Sequence, residues 1–172
     1  MSFAFCVFSL PRAGSTWVSN WLSSGSSICW HDPIATAGPK EIEHWASWQD
    51  RPAGICCTGT WLDASWRPQV PILLLERDRD AVNRAMTAKG LPELPGWVFE
   101  RWAELPYDRV TLPQLMNERI ARRVHSKLLP SLAFDLARYH ELQRMNVQPS
   151  EQELQAVRAA VAHYNSRNEQ RT

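Results

Sequence analysis

Pro11, Arg12, Ala13, Gly14, Ser15, Thr16 and Trp17 place a chain breaker, a cation, a glycine and two hydroxyls in one short stretch. They stand where an apolar run, residues 3–10, gives way to an amphipathic stretch that ends at Leu22. That succession predicts a strand, a loop and a helix. Backbone N–H groups at such a helix start have no intrahelical partner, and with the helix dipole they attract an anion such as phosphate or sulfate. The implied ligand is a nucleotide. When Gly14 and Thr16 are aligned with the ATPase pattern GxxxxGK[ST], Ser9 stands at the first glycine and Ser15 at the lysine. The charge of the absent lysine then falls to Arg12, while Ser15 and Thr16 supply hydroxyl bonds to the same phosphate. An ordinary turn with a core Trp17 is the simpler alternative.

The loop resembles that of the sulfotransferase family, which reads P-[KR]-x-G-[ST]-T-W. In that family it holds the 5′-phosphate of 3′-phosphoadenosine-5′-phosphosulfate, with the tryptophan packed on adenine. The resemblance implies that Pro11, Arg12, Ala13, Gly14, Ser15, Thr16 and Trp17 bind this sulfuryl donor. It extends to residues 75–86, where Arg77 aligns with the arginine of the family's R-x-P-x-x-x-x-x-S segment, whose Arg and Ser grip the 3′-phosphate. An ungapped comparison puts Arg79 at the proline and Ala85 at the serine, whereas one deletion puts Arg84 at the serine. Both lose the hydroxyl, leaving Arg84 or Asn83 as the substitute donor. The alternative is a solvated helix start with Arg–Asp pairs. The family's R-K-G segment is absent, and the resemblance is confined mainly to residues 3–22, 27–33 and 70–86.

A third group, Trp30, His31, Asp32 and Pro33, follows the second expected strand and so leaves the same sheet edge as the loop. Sulfuryl transfer needs a proton taken from the attacking hydroxyl or amine while charge builds on the bridging oxygen. A base near the acceptor and a cation near the leaving phosphate suffice, so no metal is expected. Asp32 with Pro33 resembles the carboxylate–proline pair of many bacterial members, His31 is the rival base, and Arg12 is the cation. Asp32-Pro33 also reads as a plain turn. Asp63 is a weaker candidate, with a helix cap as its alternative. The implied partner is a small acceptor molecule. Trp45, Trp48, Trp61, Trp66, Trp97 and Trp102 could line its cleft or simply pack.

Positioning these residues takes several elements. Further strand-like runs occur at 27–31, 54–58, 70–76 and, weakly, 109–112, with helical stretches at 16–24, 39–49, 79–88 and 96–105. The alternation predicts an α/β fold, a doubly wound parallel sheet of four to five strands with ligands at the carboxyl ends of its strands. Residues 72–75 are apolar without alternation, as in a central strand covered on both faces. From about 117 to 168 the pattern is that of a helical layer, with Leu128, Leu129, Leu132, Leu136 and Tyr139 spaced to pack and Pro130 opening a new helix. Ser150 and Glu153 have the spacing of a capping box for a last helix.

A chain of 172 residues, 44% apolar and 22% charged, fits one domain over 1–172. Its net charge of +1 and lack of a long basic run speak against nucleic-acid binding. Cys6, Cys29, Cys56 and Cys57 lack CxxC spacing and read as reduced core thiols of a cytoplasmic protein. No apolar stretch approaches the ~20 residues that span a bilayer, and no basic leader is evident, so a soluble protein is expected. Oligomeric state is left open. Two competing functions remain. A P-loop kinase or NTPase would use residues 72–76 as a strand ending in a Mg²⁺-organising Glu76, against which Ser15 in place of lysine argues. A non-catalytic nucleotide-binding protein of the same fold is the other.

Overall fold

The structure, a computed structural model, describes residues 3–33, 37–62, 66 and 68–145. In chain order it holds β1 (Phe5–Ser9), α1 (Ser15–Leu22), β2 (Ile28–His31), α2 (Pro39–Ser47), β3 (Ala53–Cys57), a 3₁₀ turn (Thr60–Leu62) and β4 (Ile72–Glu76). There follow α3 (Arg79–Thr87), α4 (Gly96–Ala103), β5 (Asp108–Thr111), α5 (Leu112–Leu115), α6 (Glu118–Leu128) and α7 (Leu136–Arg144). The five strands form one parallel sheet in the order β2-β3-β1-β4-β5. The doubly wound parallel sheet read from the sequence is therefore present, with five strands.

β1 occupies the centre, where Phe8 pairs with Cys57 on one side and Leu74 on the other. All five of its residues are buried, as are the first four of β4, in keeping with unalternating apolar runs covered on both faces. Gly54 of β3 answers to packing. The ring of Phe5, its partner on β1, lies 2.5 Å from where a Cβ at residue 54 would sit.

After β1 the chain passes β3 to reach β2, and after β4 it moves outward to β5. Connections leaving β1 and β4 thus diverge, and a crevice opens between the carboxyl ends of these adjacent strands, the usual ligand position in such sheets. A buried aromatic cluster joins α1, α6 and α7. Trp17 stacks on Trp21 at 5.7 Å, and Trp21 meets His125 at 6.2 Å and Phe134 at 6.3 Å. The Tyr139 hydroxyl donates to the Leu115 carbonyl over 2.9 Å, tying α7 to α5.

The C-terminal layer corrects one expectation. Pro130 ends α6 instead of opening a helix, because a residue before proline is pushed out of the helical region, and Leu129 has φ −134° and ψ 63°. α7 begins only at Leu136, where the Asp135 carboxylate accepts the N–H of Arg138 over 2.9 Å. Tyr139 and Leu128 are buried as their spacing suggests, whereas Leu136 is exposed. The capping pair Ser150 and Glu153, and the layer beyond residue 145, lie outside the described residues, as does Asp63.

All four cysteines are buried thiols outside any disulfide, on β1, β2 and β3. Burial pushes the thiols of Cys6, Cys29 and Cys56 well above their ordinary range, so they are uncharged packing groups. Among the described residues no helix is long and apolar enough to cross a membrane.

Candidate functional site

The β1–α1 turn is built on two left-handed backbone positions, Arg12 with φ 62° and Gly14 with φ 107°. Such positions are unfavourable for a non-glycine residue and persist only where neighbours enforce them. At Gly14 glycine is required twice over. Its φ suits no other residue, and a Cβ there would lie 2.7 Å from Cδ2 of Leu112. Gly14 caps α1 with no acidic residue in the helix's first turn, so no carboxylate of that turn offsets the positive helix end. Ser15 and Thr16 open the helix at this point.

Arg77, directly after β4, reaches across the crevice, and its Nη1 donates to the carbonyl oxygen of Arg12 over 2.6 Å. Three of the residues singled out for phosphate binding, Arg12, Gly14 and Arg77, thus meet at one turn. Arg84 is exposed on α3, while Asn83 accepts the N–H of Leu94 with its Oδ1 over 3.1 Å and so is tied to the connection before α4. Asp78 caps α3 by accepting the N–H of Ala81, and the Arg79 guanidinium lies over the Phe99 ring at 5.2 Å. The helix-start alternative therefore describes Asp78 well.

His31 is brought to the same turn. Its Nε2 lies 2.9 Å from Ser15 Oγ, 3.4 Å from Thr16 Oγ1 and 3.3 Å from Asp32 Oδ2. The sheet order places it there, since β2 is two strands from β1 and α1 packs over both β2 and β3. Asp32 is itself left-handed, with φ 44°. Its Oδ1 accepts both the N–H of Thr58 at 2.6 Å and the Thr58 hydroxyl at 2.9 Å, clamping the end of β2 to the end of β3. Thr58 was not among the residues singled out from the sequence. The sequence offered no more than a threonine closing the strand-like run 54–58, with nothing to say that this strand neighbours the one before Asp32.

A serine, a histidine and an aspartate in contact suggest a hydrolytic triad, and the geometry speaks against it. In a triad the carboxylate holds one ring nitrogen while the other faces the serine. Here Ser15 and Asp32 both approach Nε2, so no relay runs through the ring.

Two sequence expectations are redirected. Trp17 is buried, stacks on Trp21 and donates its indole N–H to the Leu142 carbonyl over 3.1 Å, so its ring belongs to the core rather than to an adenine. Among the tryptophans considered for an acceptor cleft, Trp61, Trp66 and Trp102 are also buried, while Trp48 and Trp97 are exposed. Glu76, the carboxylate of the kinase alternative, is ion-paired with Arg109. The second nitrogen of that guanidinium donates to the carbonyls of Trp102, Ala103 and Leu105 at 2.9–3.0 Å. This commits Glu76 to the α4–β5 connection.

A cavity of about 590 Å³ lies elsewhere, along β5 and α6, lined by residues that include Asp108, Arg109, Arg123 and Lys127. It shares no residue with the turn. Compared with protein-family models, curated proteins and solved structures, the chain finds no match in any of the three.

Proposed function

We propose that the chain is a sulfotransferase-like enzyme that moves a sulfuryl group from 3′-phosphoadenosine-5′-phosphosulfate to a hydroxyl or amine of a small acceptor. One observation carries this reading: His31 Nε2 sits 2.9 Å from Ser15 Oγ at the head of α1, putting a candidate base beside an anion turn. The donor's 5′-phosphate takes the helix N-terminus and the hydroxyls of Ser15 and Thr16. Drawn to the phosphate, the Ser15 hydroxyl releases Nε2. The acceptor oxygen or nitrogen then attacks sulfur, the bond from sulfur to the bridging oxygen breaks, and the acceptor's proton passes to His31 Nε2. Arg12 and the α1 dipole stabilise the charge that develops on the departing phosphate. Asp32 Oδ2, 3.3 Å away, stabilises the imidazolium formed. Asp32 is less suited to act as base, because Thr58 already occupies its other oxygen with two donors.

The kinase alternative loses support from the pairing of Glu76 with Arg109 and from the serine at position 15. Calorimetry and thermal unfolding with 3′,5′-adenosine bisphosphate, against ATP with Mg²⁺, test the choice. Micromolar binding of the bisphosphate that chelator does not alter is expected. At a ligand concentration of ~100 times Kd, mass action adds about 2.7 kcal/mol of stability. A response to ATP with Mg²⁺ alone returns the kinase. Bisphosphate binding without transfer to any acceptor leaves the non-catalytic nucleotide-binding protein.

A further inference from the structure

We propose that Thr58 is a positioning residue whose two hydrogen bonds to Asp32 hold His31 in place beside the hydroxyls of Ser15 and Thr16. The inference rests on the sulfuryl-transfer reading for its kinetic consequence, and on geometry alone for the rest. Asp32 adopts a left-handed backbone (φ 44°) that an aspartate keeps only under constraint. Three hydrogen bonds impose that constraint. Asp32 N–H donates to the Cys56 carbonyl over 2.9 Å, and Asp32 Oδ1 receives the N–H and the hydroxyl of Thr58 at 2.6 and 2.9 Å. Backbone and side chain of one residue are thus both fastened to the end of β3.

With Oδ1 so held, the carboxylate can turn only its Oδ2 toward the imidazole, where it stands 3.3 Å from Nε2. That nitrogen faces Ser15 Oγ at 2.9 Å and Thr16 Oγ1 at 3.4 Å. A connected path therefore runs from β3 through β2 to the start of α1. Unprotonated, Nε2 accepts the Ser15 hydroxyl; after taking a proton, it has Asp32 Oδ2 as the acceptor for its new N–H. Loosening the clamp leaves the phosphate turn intact, since that turn is held separately by Arg77 and by Leu112 against Gly14. What it releases is the orientation of His31. A base displaced by an ångström loses much of its effect while ground-state binding is retained.

The test compares Thr58→Val, which removes the hydroxyl at nearly constant shape, with Thr58→Ser, which keeps it. Two readouts are taken on the full chain: the ¹⁵N signals of the His31 ring, assigned by difference from His31→Ala, and the kinetics of sulfuryl transfer. Thr58→Val is expected to shift the His31 ring signals and to lower kcat by about tenfold or more, with KM for the donor within about twofold. Thr58→Ser should restore both. Unchanged His31 signals in Thr58→Val overturn the proposal, as does a serine variant as impaired as the valine, which would mean that the threonine methyl matters only for packing. Should Thr58→Val fail to fold, Asp32→Asn carries the spectroscopic arm: shifted His31 signals support the path and unshifted signals overturn it. If the parent shows no transfer, the ring signals still decide. A shift in Thr58→Val then upholds the clamp while the sulfuryl-transfer reading falls.

Discussion

The guanidinium of Arg77 donates to the carbonyl oxygen of Arg12 over 2.6 Å, so the cation after β4 holds the backbone of the turn after β1. Arg12 is left-handed there, with φ 62°, and its carbonyl oxygen is turned to the arginine that follows the neighbouring strand β4. The bond both braces a strained residue and carries positive charge to the turn. Arg77→Ala should weaken 3′,5′-adenosine bisphosphate by about 10- to 100-fold, the scale of one hydrogen bond to a charged group. Adenosine 5′-phosphate should lose as much under the proposal that the turn takes the 5′-phosphate. Calorimetry with both nucleotides checks this. A loss confined to the bisphosphate would show Arg77 gripping the 3′-phosphate instead.

Arg12 offers a separation of stability from chemistry. Arg12→Ala keeps the unfavourable φ and removes the cation, whereas Arg12→Gly removes the cation and relieves the backbone. Both should lose roughly 2–4 kcal/mol of transition-state stabilisation, the usual effect of deleting a preorganised charge-stabilising donor. In denaturant unfolding the glycine variant should exceed the alanine one by about 1 kcal/mol or more, the cost of a left-handed backbone at a residue with a Cβ. If Arg12→Ala unfolds the chain while Arg12→Gly does not, the side chain is structural.

Gly14 is the position where sequence and geometry leave no slack. Gly14→Ala forces a Cβ to 2.7 Å from Leu112 at a φ of 107°. The left-handed backbone costs about 1–2 kcal/mol and overpacking about 1–3 more. Denaturant unfolding should show the sum, and Leu112→Ala in the same chain should recover part of it. A tolerated Gly14→Ala would mean that the turn takes up another conformation.

Much of the fold was legible because the cues were local. The unalternating run 72–75 marked a covered strand, and Gly14 with Pro11 marked the turn. β5 was the faintest strand because only Val110 of its four residues is buried, leaving little apolar signal at the sheet edge. Trp17 was assigned to a ligand by resemblance, yet its spacing of four from Trp21 puts both rings on one helix stripe, and that stripe faces the core. The contacts of His31 with Ser15 and of Asp32 with Thr58 were beyond reach, since they depend on β2 lying beside β3 and α1 crossing both. Strand order is a non-local property that periodicity does not encode.

His125 links the aromatic layer to pH. Burial beside Trp21 and Phe134 lowers its pKa below the ordinary histidine value of 6.5. The unfolded chain therefore binds this proton first as pH falls, and the stability contribution present above about 6.5 declines below it, levelling once pH passes the folded value. His125→Phe keeps an aromatic ring and removes the proton site. It should flatten the loss of stability between pH 7 and the acid side, as denaturant unfolding at several pH values would show. An unchanged pH slope would assign the acid sensitivity to the carboxylates.

The identity of the base is the last expectation and the one on which the mechanism turns. His31 Nε2 faces the hydroxyls at the head of α1, while Asp32 is turned toward Thr58 with one oxygen and toward His31 with the other. His31→Ala should therefore lower transfer by ~10²-fold or more, the range of a general base, with bisphosphate affinity little changed. Asp32→Asn keeps the size and turn preference but removes the charge that stabilises the imidazolium, so it should lower transfer by less than His31→Ala, and the double variant should be no worse than His31→Ala alone. Non-additivity of that kind identifies residues that act as one unit. Transfer that survives His31→Ala but not Asp32→Asn would make the carboxylate the base, with the imidazole a hydrogen-bonding partner. Losses that simply multiply in the double variant would separate the two roles, and Asp32 would then serve the backbone of its own turn.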